Sequence, residues 1–350
     1  MEPRERVRLA LTCRQPDRIP KALGFFAPGL PDVEGRSAED HWELDVRFAR
    51  FDAPPEQEDF RRYLAALPED VYIGDRDQLR TYHAWDYHPE WGERGAPRSP
   101  EEVAAALERI LPTLTHPSRT VTLPAQVAAW HRAGWAVAGA PPHLGGKLFE
   151  AAYRLRGFQS FLLDLVAREP LARYVLDQLT EVLVHNARLL ARAGVDILLL
   201  DDDVAMPTGL VIGPGTWRHY LKPGYTRAIR AAREIAPDLL VFYHSDGDFT
   251  ALIPDLIDAG VNVINPVQPD CMDAVAIKRA YGDRLALWGT VGTADLWAHG
   301  SPEAIRREVR LRAETLGPEG LLLAPAYDLD YVPTENIAAF CQAADAFGRA

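Results

Sequence analysis

Long apolar runs are missing from this 350-residue chain, although 47% of its residues are hydrophobic and 25% are charged. A helix that spans a membrane needs roughly 18 consecutive apolar residues, and no run in the sequence approaches that length. The composition is that of a globular protein with enough apolar side chains to bury a large core. We therefore predict a protein that neither crosses a membrane nor lies in one.

Cysteine is also scarce, with Cys13, Cys271 and Cys341 widely spaced. An odd and scattered set of this size does not support a disulfide framework, so any of the three that matters should act as a thiol. The first 20 residues mix charges of both signs and lack the apolar centre and small-residue cleavage site of a secretory signal. These features predict a cytoplasmic protein.

Runs of basic residues interleaved with aromatics are absent, and the formal net charge is −12. Such a field repels phosphate backbones, which argues against a nucleic-acid partner. The charge says little else about the partner. It leaves the oligomeric state open, a homodimer included.

Eight short apolar runs, most of them separated by stretches of helical period, organise the chain. They are Ile19–Phe26, Asp70–Gly74, Trp135–Gly139, Asp196–Asp201, Leu239–His244, Val261–Asn265, Leu285–Gly289 and Leu321–Pro325. Nearly continuous apolar strands are typical of parallel sheets that are covered on both faces. Eight of them alternating with helices predict a single (β/α)₈ TIM barrel over residues 1–350.

The first three runs are spaced more widely than the last four, so we expect an N-terminal extension and long early insertions. One insertion, Asp75–Pro100, is rich in aromatic residues, proline and glycine. It is interpreted either as a wall of the pocket or as a surface hairpin without a role. Phe25, Trp85, Trp288 and Tyr327 would form an aromatic cleft for a flat substrate, unless they only plug the barrel.

The segment LLVFYHSDGDF ends a buried run in titratable side chains. The carboxyl ends of barrel strands open on one face, where side chains converge on the pocket mouth. Asp248 is explained by a helix that starts after it, whereas His244 and Asp246 are not explained by packing. We predict that His244 and Asp246 act at the site.

Polar residues also follow other predicted strands, among them Asp202, Gln268, Cys271 and Tyr327, and His143 follows the third strand. Several carboxylates at one mouth repel one another unless a cation or a proton intervenes. His244, Asp246 and Cys271 would form a plausible Zn²⁺ site, with Cys271 as a packing residue the alternative. Asp202 and Tyr327 are predicted to be catalytic, and His143, Gln268 and the aromatic side chains to contact substrate.

Four stretches together resemble the uroporphyrinogen decarboxylase superfamily. They are PRERVRLALTCRQPDRIP, YHSDGDFTALIPDLIDAGVNVINPVQPDCMD, AYGDRLALWGTVGT and LLLAPAYDLDYVPTENI. The resemblance covers nearly the whole chain and implies a (β/α)₈ barrel. The superfamily includes the decarboxylase, zinc-dependent methyltransferases that act with corrinoid proteins or coenzyme M, and many uncharacterised relatives.

The sequence departs from both chemistries of that superfamily. The arginine-rich stretch that holds the decarboxylase substrate is replaced by FFAPGLPDV, which contains no arginine. The HxC pattern of the methyltransferases reads His244-Ser245-Asp246, so only the histidine carries over.

We therefore expect a methyltransferase or O-demethylase acting on a small molecule, with zinc and a corrinoid protein partner implied by the resemblance. The alternative is a decarboxylase-like lyase in which Asp202 or Asp246 stabilises an electron sink and Tyr327 or His244 donates a proton. A non-catalytic binding barrel is a third reading. It leaves the many carboxylates at one mouth unexplained.

Overall fold

The computed structural model describes residues 1–24, 33–52, 98–142, 146–329 and 332–348. The strands in these ranges are β1 (Val46–Ala49), β2 (Ala136–Gly139), β3 (Ile197–Asp201), β4 (Ala205–Met206), β5 (Gly209–Leu210), β6 (Leu240–His244), β7 (Val263–Asn265), β8 (Ala286–Trp288) and β9 (Leu321–Leu322). In this part of the chain, seven strands form one sheet in the order β1-β2-β3-β6-β7-β8-β9. Each neighbouring pair is parallel, whereas β4 and β5 form a separate antiparallel hairpin.

Helices connect the parallel strands and cover the outer face of the sheet. They are α1 (Pro3–Leu11), α2 (Ala38–His41), α3 (Pro100–Leu114), α4 (Leu123–Arg132), α5 (Phe149–Arg156), α6 (Phe158–Ala167), α7 (Pro170–Ala193), α8 (Pro214–Tyr220), α9 (Lys222–Arg233), α10 (Ile253–Ala259), α11 (Ala274–Tyr281), α12 (Ala294–His299), α13 (Pro302–Leu316) and α14 (Thr334–Phe347). Among the described residues, no helix is both long and apolar enough to cross a membrane.

Side chains of the parallel strands alternate between two buried clusters, because successive residues of a strand point to opposite faces. On β6, Leu240 and Phe242 belong to an inner cluster, whereas Val241 and Tyr243 pack into the larger cluster beneath the helices. Val7 and Leu11 of α1 also join the inner cluster. The two-sided burial explains the continuous apolar runs of the sequence.

Six of the eight predicted strands are present, from β2 to β9 along the parallel sheet. Five of them lie within two residues of the expected bounds, whereas β9 ends at Leu322, three residues before the end of the predicted run. The predicted strand Asp70–Gly74 lies outside the described residues. In the described part of Ile19–Phe26, the only β-pairing is a single bridge from Lys21 to Leu323. The α/β architecture with a parallel sheet is therefore confirmed.

Strand β1 was not predicted, because the charge of Arg47 interrupts its apolar pattern. The structure covers this charge on the outer side of the strand, where only 5% of Arg47 is exposed. The guanidinium carbon lies 3.8 Å from the ring centre of Trp135, and Nη2 donates to Asp40 at 2.7 Å. Stacking and ion pairing together let an arginine occupy a position that the pattern reserves for an apolar residue.

The segment around Lys21 lies between the two edge strands of the parallel sheet. Its backbone exchanges hydrogen bonds with Leu323, from Ala22 N at 3.0 Å and to Pro20 O at 2.9 Å. On its other side, Asp45 N donates to Lys21 O at 3.0 Å, just before β1 begins. The segment therefore connects the β9 edge of the sheet with the β1 edge.

Candidate active site and metal centre

The carboxyl ends of β3 and β6 place the first two polar groups of the site side by side. Leu199 and Phe242 belong to the inner cluster, so the next inward positions are Asp201 and His244, two residues further along each strand. The register pairs Asp201 directly with His244. Asp201 is neutralised by Lys147, which is 4% exposed and forms an ion pair with it.

Asp203, His244 and Asp246 form the one group of three potential metal ligands found among the described residues. Their ligand atoms all lie within 4.8 Å of one another. His244 Nε2 is 3.6 Å from Asp203 Oδ1, and the backbone amide of Asp246 donates to the same Oδ1 at 2.8 Å. Asp203 has 42% of its side chain exposed and His244 has 12%, so the group opens to solvent on the aspartate side.

The imidazole of His244 is held between opposing influences. Burial acts to lower its pKa, but Asp203 and then Asp246 raise it, and the net pKa lies above the usual value. Its Nδ1 atom is 2.7 Å from Asn265 Oδ1, at the end of β7. The other ring nitrogen faces the carboxylates, which is the side on which a cation would be stabilised.

Asp202, the neighbour of Asp203, points away from this group and is fully buried. Its carboxylate accepts hydrogen bonds from the backbone amides of Leu148, Phe149 and Glu150, at 3.2, 2.6 and 2.8 Å, and from the Tyr225 hydroxyl at 2.7 Å. Burial raises the pKa of Asp202 to about 6, although these donors act in the opposite direction. The placement makes Asp202 the cap of α5. Its predicted catalytic role is therefore not part of the function proposed below.

Glu150, which the sequence interpretation did not select, lies directly behind the group. Its Oε2 accepts the backbone amide of Asp203 at 3.2 Å, and its Oε1 accepts the Tyr153 hydroxyl at 3.1 Å. Burial, followed by the charges of Asp203 and Asp202, raises the pKa of Glu150 to about 8. The Arg154 guanidinium, whose Nη2 donates to Glu150 Oε1 at 3.2 Å, acts in the opposite direction and lowers the pKa.

Gln268 and Cys271 lie beside the group, in the loop after β7. Gln268 Nε2 donates to Asp246 Oδ1 at 2.9 Å, while its Oε1 accepts the backbone amide of Gly247 at 2.9 Å. Cys271 Sγ lies 3.7 Å from Gln268 Oε1 and is not a member of the described three-residue group. The contacts place Gln268 against a ligand residue and Cys271 one step further away.

The remaining predicted residues are spread over several environments. Tyr327 donates its hydroxyl to Asp270 Oδ2 at 2.6 Å. Trp288 is fully buried in the inner cluster, 5.1 Å from the ring of Phe242, and donates to Gly24 O at 3.1 Å. These contacts agree with packing, one of the two interpretations of the aromatic residues, and the predicted substrate contact stays a prediction. Three further predicted substrate contacts lie outside the described residues: Phe25, Trp85 and His143.

Asp203 is the residue of the group that the sequence interpretation missed. It is the third of three consecutive aspartates, and composition cannot say which of them faces the mouth. The signal that was available is strand parity, which turns Asp201 inward and Asp202 outward. Parity does not extend beyond the end of β3, so the direction of Asp203 depends on how the chain leaves the strand.

The fold and the group define a class: an α/β protein with a parallel sheet and a carboxylate–imidazole group at the carboxyl ends of adjacent strands. Residues 135–347 match the family model described as uroporphyrinogen decarboxylase (URO-D). This match covers more than half of the chain, and the protein therefore belongs to that family. The resemblance found in the sequence is confirmed.

Two curated relatives share the same name, methylcobamide:CoM methyltransferase MtaA. The protein from Methanosarcina barkeri is 26% identical over 193 residues, which is 54% of this chain and 53% of that protein. The protein from M. barkeri strain Fusaro is 24% identical over the same shares. The alignments thus span about half the length of these relatives.

Among solved structures, a methyltransferase from Methanosarcina mazei matches with a TM-score of 0.65 and 18% identity, covering 99% of both chains. At that level of identity the match establishes a common fold. The family match thus agrees with the resemblance seen in the sequence, and both curated relatives are named as methyltransferases.

Proposed function

We propose that this protein is a methyltransferase or O-demethylase that acts on a small molecule and uses a divalent metal ion held by Asp203, His244 and Asp246. The observation that carries the proposal is the approach of these three ligand atoms to within 4.8 Å at the ends of β3 and β6. The curated relatives support the reaction class, since both are named as methyltransferases.

The spacing of the donor atoms suits a tetrahedral zinc ion. With metal–ligand bonds near 2.1 Å, two ligand atoms of such an ion lie about 3.4 Å apart. His244 Nε2 and Asp203 Oδ1 are 3.6 Å apart, close to that value, and the Asp246 carboxylate lies within 4.8 Å of both. Cys271, predicted as the sulfur ligand, is replaced in this proposal by Asp203.

A divalent ion bound here would supply Lewis-acid chemistry, polarising the atom of the substrate from which a methyl group is transferred. The ligand set contains one nitrogen and two oxygens, and it donates less charge than a set with thiolates. This favours a substrate that presents oxygen over one that presents a thiol. Gln268 holds the Asp246 carboxylate, and Glu150 accepts the backbone amide of Asp203.

We also infer a closed eight-stranded barrel, in which the segment around Lys21 acts as the strand between β9 and β1. The hydrogen bonds on both sides of Lys21 support this arrangement. A closed ring would gather the strand ends around one mouth, where a corrinoid protein could present its cofactor. This partner is inferred from the names of the curated relatives, which include methylcobamide.

Decarboxylation remains the second candidate, because the family model carries that description. In that case His244 and Asp246 would act as an acid–base pair without a metal, and Tyr327 as a proton donor is a further part of this alternative. The two functions differ in their need for a metal ion, which is directly measurable.

Metal content of protein purified without chelator tests the proposal. We expect about one zinc ion per chain in the wild type and far less in His244→Ala and Asp246→Asn. Asp248→Asn is the matched control, since Asp248 lies two residues from Asp246 and its side chain accepts the backbone amide of Thr250 at 3.0 Å, a bond that asparagine can also accept. Metal-free protein that decarboxylates a substrate at an undiminished rate would contradict the proposal and support the second candidate.

A further inference from the structure

Asn265 links the imidazole of His244 to the backbone of the next strand. Its Nδ2 donates to Trp288 O at 2.9 Å, and its Oδ1 lies 2.7 Å from His244 Nδ1. Only 2% of Asn265 is exposed, so solvent does not compete for these contacts. The amide spans β6, β7 and β8 at the level of the candidate metal centre.

The chemistry of the three groups determines where the protons lie. A backbone carbonyl can only accept a hydrogen bond, so the atom of Asn265 that faces Trp288 O must be the NH₂ group. The oxygen of the amide then faces His244 and must accept, which requires a proton on Nδ1. In neutral His244 the lone pair is therefore on Nε2, the atom 3.6 Å from Asp203 Oδ1.

We propose that Asn265 is a positioning residue that fixes His244 in the Nδ1–H tautomer and so makes Nε2 the metal-binding atom. Gln268 orients the carboxylate of Asp246, because its Nε2 donates to Asp246 Oδ1. The backbone amide of Gly247 donates to Gln268 Oε1 and so fixes the direction of the Gln268 side chain. Strand β7 and its loop thus supply two amides, one that orients His244 at the end of β6 and one that orients Asp246 in the loop after it. The effect of Asn265 on metal binding rests on the metal-dependent function proposed above, whereas the tautomer of His244 does not.

Gly289 leaves the space that Asn265 occupies. Its φ of +81° is in the left-handed region, and a Cβ atom there would lie 2.6 Å from Asn265 Nδ2. A side chain at this position would push the amide away from Trp288 O. The glycine is therefore explained by the amide as well as by the backbone.

The tautomer can be measured in metal-free protein by long-range ¹H–¹⁵N correlation spectra of ¹⁵N-histidine-labelled samples. The chain has 10 histidines, and the signals of His244 are those that disappear in His244→Gln. We expect the Nδ1–H pattern in the wild type. Asn265→Leu should show a mixture of tautomers, because the acceptor is lost.

Zinc affinity, measured by competition with a chromophoric chelator, provides the second readout. Removing a partner that orients a ligand weakens metal binding by about 10–100-fold. We expect losses of this size in Asn265→Leu and Gln268→Leu, while Gln268→Leu leaves the tautomer of His244 unchanged. Asn186→Leu is the control for removing a buried amide, since Asn186 is fully buried on α7 and donates to Leu114 O.

A wild-type spectrum with the Nε2–H pattern would overturn the assignment of Asn265, as would an unchanged pattern in Asn265→Leu. Equal zinc affinities in the wild type and both amide variants would overturn the positioning role. If the wild type binds no zinc, the metal-dependent function fails, whereas the spectrum of the metal-free protein still decides the tautomer. The two proposals can therefore fail separately.

Discussion

Replacing Asp202 by alanine should destabilise the protein, whereas the same change at its neighbour Asp203 should remove the metal centre. Asp202 accepts three backbone amides at the start of α5 and the hydroxyl of Tyr225, all of them buried. Asp203 has 42% of its side chain exposed and belongs to the candidate ligand group. Adjacent and chemically identical residues thus have different predicted functions.

The size of the effect follows from two opposing contributions. Four buried donors lose their acceptor in Asp202→Ala, and a low-end value of about 1.5 kcal/mol for each gives ~6 kcal/mol. Against this, the variant no longer buries a charge. The pKa of Asp202 is about 6 instead of the usual ~3.9, which corresponds to ~3 kcal/mol at alkaline pH. The free energy of unfolding should therefore fall by about 3 kcal/mol.

Urea unfolding and calorimetry at pH 8 test this value, because Asp202 is then ionised in the folded protein. For a chain of this length, 3 kcal/mol corresponds to a decrease in Tm of about 4 °C. Asp203→Ala should change stability by less than about 1 kcal/mol and abolish zinc binding. The reasoning is refuted if Asp202→Ala keeps full stability and loses zinc, or if Asp203→Ala is the more destabilising variant.

Three further predictions concern other parts of the structure. Hydrogen bonds from Arg218, together with a neighbouring lysine, lower the pKa of Asp255 to about 2. The stabilisation from the ionised carboxylate is therefore present above pH ~4 and is lost as the pH falls towards 2. In urea unfolding, Asp255→Asn should lower the free energy of unfolding by about 2 kcal/mol at pH 7 and by about half that at pH 3. Cys341 is 2% exposed and burial raises the pKa of its thiol to about 12, so Ellman's reagent should label it only after denaturation, and labelling in the native state would contradict the structure. Gly247 and Gly35 both have φ near +75° to +80°, but only at Gly247 would an added Cβ atom meet backbone, at 2.6–2.7 Å in the β4–β5 hairpin. Gly247→Ala should therefore lower the free energy of unfolding by about 2 kcal/mol more than Gly35→Ala, as measured by urea unfolding. Equal losses in the two variants would show that backbone conformation alone matters.

The parallel sheet could be predicted because its strands are buried on both faces. This double burial makes each strand a short, nearly continuous apolar run, and runs such as Leu239–His244 and Asp196–Asp201 coincide with strands β6 and β3. Strand β1 escaped because a buried arginine breaks the pattern. Its guanidinium stacks on Trp135, which is distant in sequence, and pairs with Asp40, which precedes the strand.

The candidate site was predicted in part. The sequence identified His244 and Asp246 as neighbours at one strand end, and the structure brings them together with Asp203. It also selected Asp202, whose carboxylate accepts backbone amides at the start of α5, and Gln268, which contacts Asp246. Side chains beyond the last residue of a strand no longer obey its alternation, and their directions are set by loop contacts.

The sequence by itself determined which residues end the strands, since apolar periodicity and the terminal polar groups are local properties of the chain. Only the tertiary structure decided how those groups are divided between cap, ligand and support. The amides at the start of α5 bind Asp202 from a segment more than 50 residues away, and Asn265 reaches His244 from the next strand. Hydrogen bonds between distant segments exist only after the sheet has brought those segments together.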